Sequence, residues 1–470
     1  MIVKQFFASF FGAIYLLFMA LLFSHLFVSC SHDSIEDMDL DYGENPFDTM
    51  EKADNDIRKK VVVISDIHLG PDLAYSETVK HLPRLCQFLQ EVRRSKTVAE
   101  LIIGGDLLDE WYLPSRENTF QGKSSLDYVK QIYASNRVFF DVINKIIKEG
   151  YIKVTYVPGN HDLLITQEDV QSIMPGINFV LDEGRSLGTG TYRPDACKSM
   201  VVEHCHRYDW WCAPNPYDNQ DIAQGTIMPL GYFFSRVAAN SFTSSICTPQ
   251  SATKLNPLTI NPKFENDPEQ KNLQALYDCW NKVLSYVIYV DDNFNEPIIK
   301  TDINGWKGSF SVNDFVPFNN EDGSVTSKYY RNIMKQSTWD KVQDYNFVKV
   351  KSDINKAIYG GLNTQFLDTM SEVQYFKNMD KQDVRIVVFG HTHVPKFLTF
   401  DNIDSAKCIY VNSGTWQDKK VRNFSERVDQ DGENMDFVIV SPATSGNTIV
   451  ALYKYFQGTH KLVKSEEIDL

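Results

Sequence analysis

The sequence lacks two features that would indicate common non-enzymatic classes. None of its 8 cysteines forms a CxxC pair, which argues against a structural zinc knuckle. It also has no excess of positive charge, because 47 Lys and Arg stand against 61 Asp and Glu and the formal net charge is −14. Proteins that bind nucleic acid without specificity are normally basic. We therefore expect no stable nucleic-acid partner.

The N-terminal segment 1–29 is predicted to be a signal peptide rather than part of the fold. Residues 6–28 are almost continuously apolar and follow Lys4, which is typical of a secretory signal. The stretch is also long enough to cross a bilayer, so an uncleaved anchor is the alternative. Residues 26–30, LFVSC, resemble a bacterial lipobox with Phe27 in place of the usual leucine. That resemblance implies attachment to a membrane through a lipidated Cys30.

Residues 30–58 are predicted to form an acidic, solvated tether. They are rich in Asp and Glu and poor in β-branched residues, so they can bury little apolar surface. An acidic run directly after the lipidated cysteine resembles the surface-export signal of Bacteroidetes-type lipoproteins. This resemblance implies a protein that is exported, anchored in the bacterial outer membrane and exposed at the surface. A plain polar linker is the alternative.

From residue 61 onward, apolar strands alternate with helices. The run 61–64, VVVI, predicts a strand that is buried on both faces. Further strands are predicted at 99–104, 151–157, 198–203, 384–389, 407–411, 436–440 and 449–456, and helices at 76–94 and 126–147. Gly150 is placed to end the second helix, and Thr166 to cap the next one. This alternation predicts a layered α/β fold with mixed sheets.

Each of the first five strands runs into residues that commonly bind metals. The motifs are DIH at 66–68, GDLLD at 105–109, GNHD at 159–162, EHCH at 203–206 and GHTH at 390–393. If the first strand continued to His68, Asp66 and His68 would leave it on the same side. Singly, each motif has an ordinary explanation as a turn, a helix cap or a buried histidine. Together they predict one site, because α/β folds place their chemistry at the carboxyl edge of a sheet.

These five motifs resemble those of the calcineurin-like metallophosphoesterases. The resemblance covers residues 61 to about 209 and 384 to about 456. It implies an α/β fold, a four-layer αββα metallophosphoesterase sandwich, with a large insertion between the fourth and fifth motifs. We accordingly divide the chain after the tether into phosphoesterase parts 59–212 and 381–470 and an inserted cap region 213–380.

The resemblance also implies two divalent metal ions, each held by four residues. Asp66, His68, Asp106 and His393 would hold one ion, and Asp106, Asn160, His204 and His391 would hold the other, with Asp106 bridging. His206 is the alternative to His204, and Cys205 stands between them where the family usually has glycine. Oxygen and imidazole donors suit manganese, iron, zinc or nickel, and the sequence does not choose among these metals.

The chemistry that the family implies is hydrolysis of a phosphate ester by a metal-activated hydroxide. By the same resemblance, His161 is the general acid that protonates the leaving oxygen, and Asp109 orients His161. Asp162 is interpreted instead as a helix cap. The segment 412–414, NSG, also fits the family.

Two positions differ from those of related phosphatases and limit the substrate classes that we expect. The family's protein Ser/Thr phosphatases carry Arg and Glu where this chain has Glu110 and Asp162, which argues against recognition of phosphoproteins. The motifs are closer to the branch of UDP-diacylglucosamine pyrophosphohydrolase, but that enzyme is cytosolic, so a shared substrate does not follow. We expect a phosphorylated small molecule, a lipid or a nucleotide. The sequence leaves monoester, diester and pyrophosphate open, together with the oligomeric state.

The region 213–380 is much longer than a single crossover requires. We interpret it as a cap that shapes access to the metal site, and a packing or partner domain remote from the site is the alternative. Trp210, Trp211 and Trp416 flank the motifs and are either pocket or core residues. Two other functions are open: a surface binding protein on a catalytically dead phosphoesterase scaffold, and a nuclease of the same superfamily.

Overall fold

The computed structural model describes residues 46–49, 58–120, 122–242, 255–284, 294–361, 363–422, 426–429, 435–443, 447–456 and 458–470. The predicted signal peptide, Cys30 and most of the predicted tether lie outside these residues. Within the described part of the chain, no helix combines the length and the apolar character that crossing a membrane requires. The cysteines in that part form no disulfide.

Helices and strands alternate along the described chain. The helices are α1 Pro46–Thr49, α2 Leu82–Arg94, α3 Ser125–Ser135, α4 Arg137–Glu149, α5 Gln167–Ile173, α6 Leu230–Ala238, α7 Pro268–Leu284, α8 Gln336–Tyr345, α9 Ile354–Gly360 and α10 Thr364–Ser371. The strands are β1 Lys60–Ile64, β2 Val98–Ile103, β3 Lys153–Tyr156, β4 Asn178–Phe179, β5 Met200–Glu203, β6 Ile299–Ile303, β7 Trp306–Phe310, β8 Phe318–Asn319, β9 Val325–Thr326, β10 Ile386–Phe389, β11 Lys396–Asp401, β12 Lys407–Asn412, β13 Lys419–Arg422, β14 Glu426–Asp429, β15 Asp436–Ser441, β16 Thr448–Phe456 and β17 Thr459–Ile468.

Two larger sheets organise the fold. The first has seven strands in the order β17-β16-β15-β1-β2-β3-β4, and the second has four in the order β11-β12-β10-β5. Strands β1 to β4 run parallel, as do β5, β10 and β12, whereas β15 to β17 and β11 pair antiparallel. The pairs β6–β7, β8–β9 and β13–β14 form small separate ribbons.

Alternation along the strands builds four layers. On β1, Val61 and Val63 belong to a core shared with the four-stranded sheet, whereas Val62 and Ile64 belong to a core shared with α2, α3 and α4. On β10, Ile386 and Val388 belong to the same core between the two sheets, whereas Val387 and Phe389 belong to a core shared with α10. This two-residue period is what a strand covered on both faces requires. The predicted αββα sandwich is confirmed.

The motif-bearing strands do not all belong to one sheet. Strands β1, β2 and β3 lie in the seven-stranded sheet, and β5 and β10 lie in the four-stranded sheet. The site therefore forms where the carboxyl ends of strands from two sheets meet. Strand β1 ends at Ile64, so the condition under which Asp66 and His68 would leave one strand on the same side is not met.

Two predicted helix boundaries differ in the structure. The first predicted helix starts later than expected, at Leu82, because Pro83 is tolerated only in the first turn of a helix. The Asp418 carboxylate also accepts the backbone N–H of His81 at 2.8 Å. The second divides into α3 and α4 at Asn136, whose side-chain amide donates to Gly70 O at 2.9 Å. Hydrophobic periodicity predicts the apolar face of both helices but does not reveal such long-range hydrogen bonds.

The inserted region shares a hydrophobic core with the loops that carry metal motifs. Side chains of α6, α7, α8 and α9 form this core together with Trp111, Leu163 and Trp210. These three residues belong to the loops that follow β2, β3 and β5. The insertion thus packs directly on three of the five motif loops.

A buried arginine ties the insertion to the loop after β2. Arg236, on α6, is 0% exposed, and its guanidinium donates to the carbonyl oxygens of Leu113 and Pro114, each at 3.0 Å, and to that of Glu117. It also donates to the hydroxyl of Thr119 at 2.9 Å. Hydrogen bonds from a charged donor stabilise more than neutral ones, so this contact fixes the loop firmly.

Arg236→Met is expected to lower the free energy of unfolding by about 3 kcal/mol, because it leaves several buried carbonyl groups without a donor. The measurement is urea unfolding followed by tryptophan fluorescence. The control is Arg116→Met on the same loop, where an exposed Arg116–Glu296 pair at 2.7 Å contributes less than about 1 kcal/mol. Equal losses of unfolding free energy in the two variants would show that Arg236 does not hold the loop after β2.

Candidate active site

The motif residues reach the site through turns rather than along strands. Five of them have left-handed backbone, a conformation that is unfavourable for residues with a side chain. They are Asp66, His68, Asp106, His391 and His393, with φ between 52° and 72°. Each such residue costs of order 1–2 kcal/mol, and strain of this kind concentrates at functional sites. These turns bring Asp66 and His68 to one place although β1 has already ended.

Asp66, His68, Asp106 and His393 form a first group of possible metal ligands. One ligand atom from each lies within 4.8 Å of the others. The Nε2 atoms of His68 and His393 are 3.2 Å apart, and His393 Nε2 is 3.1 Å from Asp66 Oδ1. His68 Nε2 is 3.5 Å from Asp106 Oδ2. The structure thus brings together the four residues predicted for one cation.

A second group shares Asp106 with the first. Its Oδ2 lies 3.1 Å from His204 Nε2, and the ligand atoms of Asp106, His204 and His391 lie within 4.8 Å of one another. Asn160 Oδ1 is 3.1 Å from His204 Nε2 and 2.8 Å from His391 Nδ1. These are the four residues predicted for the other cation, and Asp106 stands where a bridging ligand would.

Of the two histidines in the fourth motif, His204 joins this group. Its Nδ1 donates to Gly104 O at 2.8 Å, which leaves the Nε2 lone pair for a cation. His206 is buried outside both groups, and burial together with the charge of His204 lowers its pKa well below the ordinary value. Cys205, between them, has a φ of 75°. Glycine adopts this left-handed conformation without strain, which explains why the family usually has glycine at this position.

Two glycines allow the motif loops to approach one another. A Cβ atom at Gly159 would overlap Asp106 Oδ1, and one at Gly105 would overlap the ring of His204. Gly105 also has a φ of 100°, which residues with a side chain rarely adopt. The close packing of the two candidate cation sites therefore depends on both glycines.

Asp109 lies between a candidate ligand and the candidate general acid. Its Oδ1 is 2.8 Å from His161 Nδ1, and its Oδ2 is 3.2 Å from His68 Nδ1. Oδ1 also accepts the backbone N–H groups of Trp111 at 2.9 Å and Tyr112 at 2.8 Å, which hold the carboxylate in place. The contact with His161 is the one that an orienting role requires. The sequence did not indicate the contact with His68.

The family model of calcineurin-like phosphoesterases matches residues 59–242. These residues therefore form a calcineurin-like phosphoesterase domain. The match confirms the resemblance, contains four of the five motifs, and extends beyond residue 212 into the predicted insertion, whereas the fifth motif at 390–393 lies outside it. No curated protein matches the chain. A domain of this family with buried Asp and His groups that could hold metal ions is that of a metal-dependent phosphoesterase.

The donors in this phosphoesterase fit divalent cations. Both groups offer carboxylate or amide oxygens and imidazole nitrogens, which suit manganese, iron, zinc and nickel. Asp66 and Asp106 are 0% and 1% exposed, and a buried carboxylate requires a compensating positive charge. The Nε2 atom of His204 faces Asp106, as a shared cation between them would demand.

The electrostatic field of the site favours positive charge. Burial lowers the pKa of His68, but its hydrogen bond with Asp109 and the charge of Glu77 raise that pKa to about 10. Burial also lowers the pKa of His204, but the charges of Asp106 and Asp66 raise it to about 9. The direction of both shifts reflects the carboxylates that surround these rings, and the same carboxylates would stabilise a bound cation.

Glu77 is a site residue that motif reasoning missed. Its Oε2 lies 3.3 Å from His68 Nδ1 and accepts a hydrogen bond from Gln417 Nε2 at 2.8 Å. Burial raises its pKa to about 7, against the lowering effect of His68. It precedes α2 and belongs to no motif, so no sequence signal marks it. Asp209, 3.0 Å from His391 Nε2, was missed for the same reason.

Asp162 joins two motif loops and does not cap a helix as predicted. Its carboxylate accepts the backbone N–H of Leu107 at 2.9 Å, the backbone N–H of Gly159 and the hydroxyl of Tyr156. The helix that follows, α5, is capped by Thr166 in a capping box. Asp162 therefore fixes the second motif against the third.

The flanking tryptophans lie mainly in cores. Trp210 and Trp416 are 2% and 0% exposed and belong to hydrophobic clusters. Trp211 is half-buried and packs against Trp280 of α7, with ring centroids 6.0 Å apart. Of the two explanations offered for these side chains, core packing describes Trp210 and Trp416.

Gly159→Ala is expected to weaken metal binding at both positions, because the added Cβ would displace the shared Asp106 carboxylate. The measurement is metal content after dialysis of the purified protein against manganese. The control is Gly184→Ala, where an added Cβ has nothing within 4 Å; because its φ of 74° strains any side chain, it shows whether backbone strain alone affects metal binding. If both variants retain the metal of the wild type, Gly159 has no role in placing Asp106.

Proposed function

We propose that the protein hydrolyses phosphate esters with two divalent cations bound on either side of Asp106. The observation that carries the proposal is the shared carboxylate: Asp106 Oδ2 lies 3.1 Å from His204 Nε2 and 3.5 Å from His68 Nε2. A complete set of donors on both sides favours an enzyme over a binding protein on a dead scaffold, since a decayed site is expected to have lost at least one ligand.

Two bound cations supply a nucleophile at neutral pH and neutralise charge on the phosphoryl oxygens. Asp66, His68 and His393 would hold one of them, and Asn160, His204 and His391 the other, with Asp106 shared. Contacts behind these donors fix the ring orientations. Gly104 O accepts from His204 Nδ1, and the carboxylates of Asp109 and Glu77 face His68 Nδ1.

The chain supplies its own proton donor in His161. Asp109 accepts a hydrogen bond from the Nδ1–H of His161, which leaves Nε2 as the nitrogen that protonates the leaving oxygen. Burial lowers the pKa of His161, but the charges of Asp109 and Asp106 raise it above the ordinary value. The backbone N–H of His161 also donates to Asp106 Oδ1 at 2.8 Å, so the acid and the shared carboxylate are held together.

His161→Ala is expected to lower kcat by about 10²–10⁴ on phenyl phosphate, whose leaving oxygen needs a proton. The loss on p-nitrophenyl phosphate should be much smaller, because p-nitrophenolate leaves without protonation. Rates are measured with added manganese, and metal content by elemental analysis. The variant should retain two metal equivalents, since His161 belongs to neither ligand set.

Asp106→Asn serves as the comparison in the same experiment and is expected to lose activity on both substrates together with bound metal. Asp404→Asn, at an exposed position, should leave activity and metal content unchanged. Wild-type protein that binds no metal, or full activity in both His161→Ala and Asp106→Asn, would overturn the proposed mechanism.

The substrate is proposed to be a phosphorylated small molecule, a lipid or a nucleotide, and the region 213–380 is proposed to shape access to it. The core that the insertion shares with Trp111, Leu163 and Trp210 supports a role close to the site rather than a remote one. A panel of monoesters, diesters and pyrophosphates, assayed with the full-length chain, distinguishes the three reaction types. Turnover of nucleic acid in place of these substrates would support the nuclease alternative.

The protein is further proposed to be a lipoprotein of the bacterial outer membrane, anchored through Cys30 and facing the cell surface. The support is the lipobox-like LFVSC sequence at 26–30 and the acidic run that follows it. Cys30→Ala is expected to move the protein from the membrane fraction to the soluble fraction. Cys86→Ala, a buried cysteine on α2, should remain with the membrane. Continued attachment of the Cys30 variant would favour an uncleaved helix.

A further inference from the structure

A buried carboxylate outside the predicted ligand set touches one of the candidate ligands. Asp209, in the loop after β5, is 6% exposed, and its Oδ2 lies 3.0 Å from His391 Nε2. The other nitrogen of the same ring, His391 Nδ1, lies 2.8 Å from Asn160 Oδ1. One side of the His391 ring therefore faces the second candidate cation site, and the other side faces Asp209.

This arrangement determines which ring nitrogen can bind a cation. A neutral imidazole carries one N–H group and one lone pair. A carboxylate can only accept a hydrogen bond, so Asp209 places the proton of His391 on Nε2. The lone pair is then on Nδ1, which is the nitrogen beside Asn160.

We propose that Asp209 is a positioning residue that holds His391 in the tautomer able to bind the second cation, and that the insertion sets the place of Asp209. The proposal rests on the two-cation site put forward above. According to this proposal, the insertion contributes to metal binding as well as to any control of substrate access.

The link to the insertion runs through the next two residues of the loop. The backbone N–H of Trp211 donates to Asp209 Oδ1 at 2.9 Å, so the carboxylate is fixed from behind. Trp210 belongs to the hydrophobic core of the insertion. The indole N–H of Trp211 donates to Ile358 O at the end of α9 at 2.9 Å. A displacement of the insertion would thus move Asp209 and release the ring of His391.

The same hydrogen bond predicts an unusual order of effects for two substitutions. In Asp209→Asn, the Trp211 N–H keeps the amide oxygen at the Oδ1 position, so the amide NH₂ faces His391 Nε2. That NH₂ group donates, and it forces the ring proton onto Nδ1, where it blocks the cation. In Asp209→Ala the ring is released but can still adopt either tautomer. The nearly isosteric substitution is therefore expected to be the more damaging one.

The test is a titration of manganese into metal-free full-length protein by calorimetry, with bound metal counted by elemental analysis. Wild type is expected to bind two equivalents. Asp209→Ala should weaken one of them by about 10-fold and Asp209→Asn by about 100-fold, the range typical of residues that orient metal ligands. The other equivalent, held by Asp66, His68, Asp106 and His393, should keep its affinity in both variants.

Trp211→Phe keeps an aromatic ring but removes the bond to Ile358, and it is expected to weaken the same equivalent by a smaller factor. Asp221→Asn, at an exposed position of the insertion, is the control and should bind like wild type. Thermal unfolding of the metal-free variants separates positioning from a loss of fold.

Three results would overturn the inference. The first is unchanged manganese affinity at both sites in the Asp209 variants. The second is weaker manganese binding by Asp209→Ala than by Asp209→Asn. The third is a third equivalent of bound manganese in the wild type that disappears in Asp209→Ala. The third result would mean that Asp209, Cys212 and His391, whose ligand atoms lie within 4.8 Å of one another, bind a cation of their own. Wild-type protein that binds no manganese would instead contradict the proposed function itself.

Discussion

The Asp106 carboxylate is the constraint on which the rest of the structure depends. It is 1% exposed and contacts His68 and His204, while one of its oxygens accepts the backbone N–H of His161. A buried anion is stable only where positive charge or hydrogen bonds surround it. The strained backbone of the ligand residues and the close approach of Gly159 have one common effect, which is to place donors from different loops around this one carboxylate.

The insertion is connected to this site through the same loops that supply it. The loop after β2 carries Asp109 and then Trp111, and the loop after β5 carries Asp209 and then Trp210, so in each case a site residue is followed by a residue of the insertion core. Packing forces on the insertion therefore act on the polar side chains of the site. A protein interior is close-packed and deforms little, which makes such short connections rigid.

Local patterns predicted the elements well and their ends less well. The strands, the capping box at Thr166 and the left-handed stop at Gly150 follow from residues close in sequence, and they appear as expected. Asp66 and His68 come together as expected, but left-handed turns and not a continuous strand bring them there. The division of the second predicted helix at Asn136 involves a hydrogen bond to Gly70 O, 66 positions away, which no local pattern contains.

The kinds of donor in the protein, and their position directly after buried strands, can be read from the sequence, because apolar runs and the residues after them are local properties of the chain. Which donors face each other depends on the packed fold. It separated His204 from His206, gave Asp109 its second contact with His68, and added Glu77 and Asp209 to the site. The physical reason is that ring orientation depends on hydrogen bonds between residues far apart in the chain, 182 positions for Asp209 and His391. Such contacts exist only once both sheets and the insertion have packed.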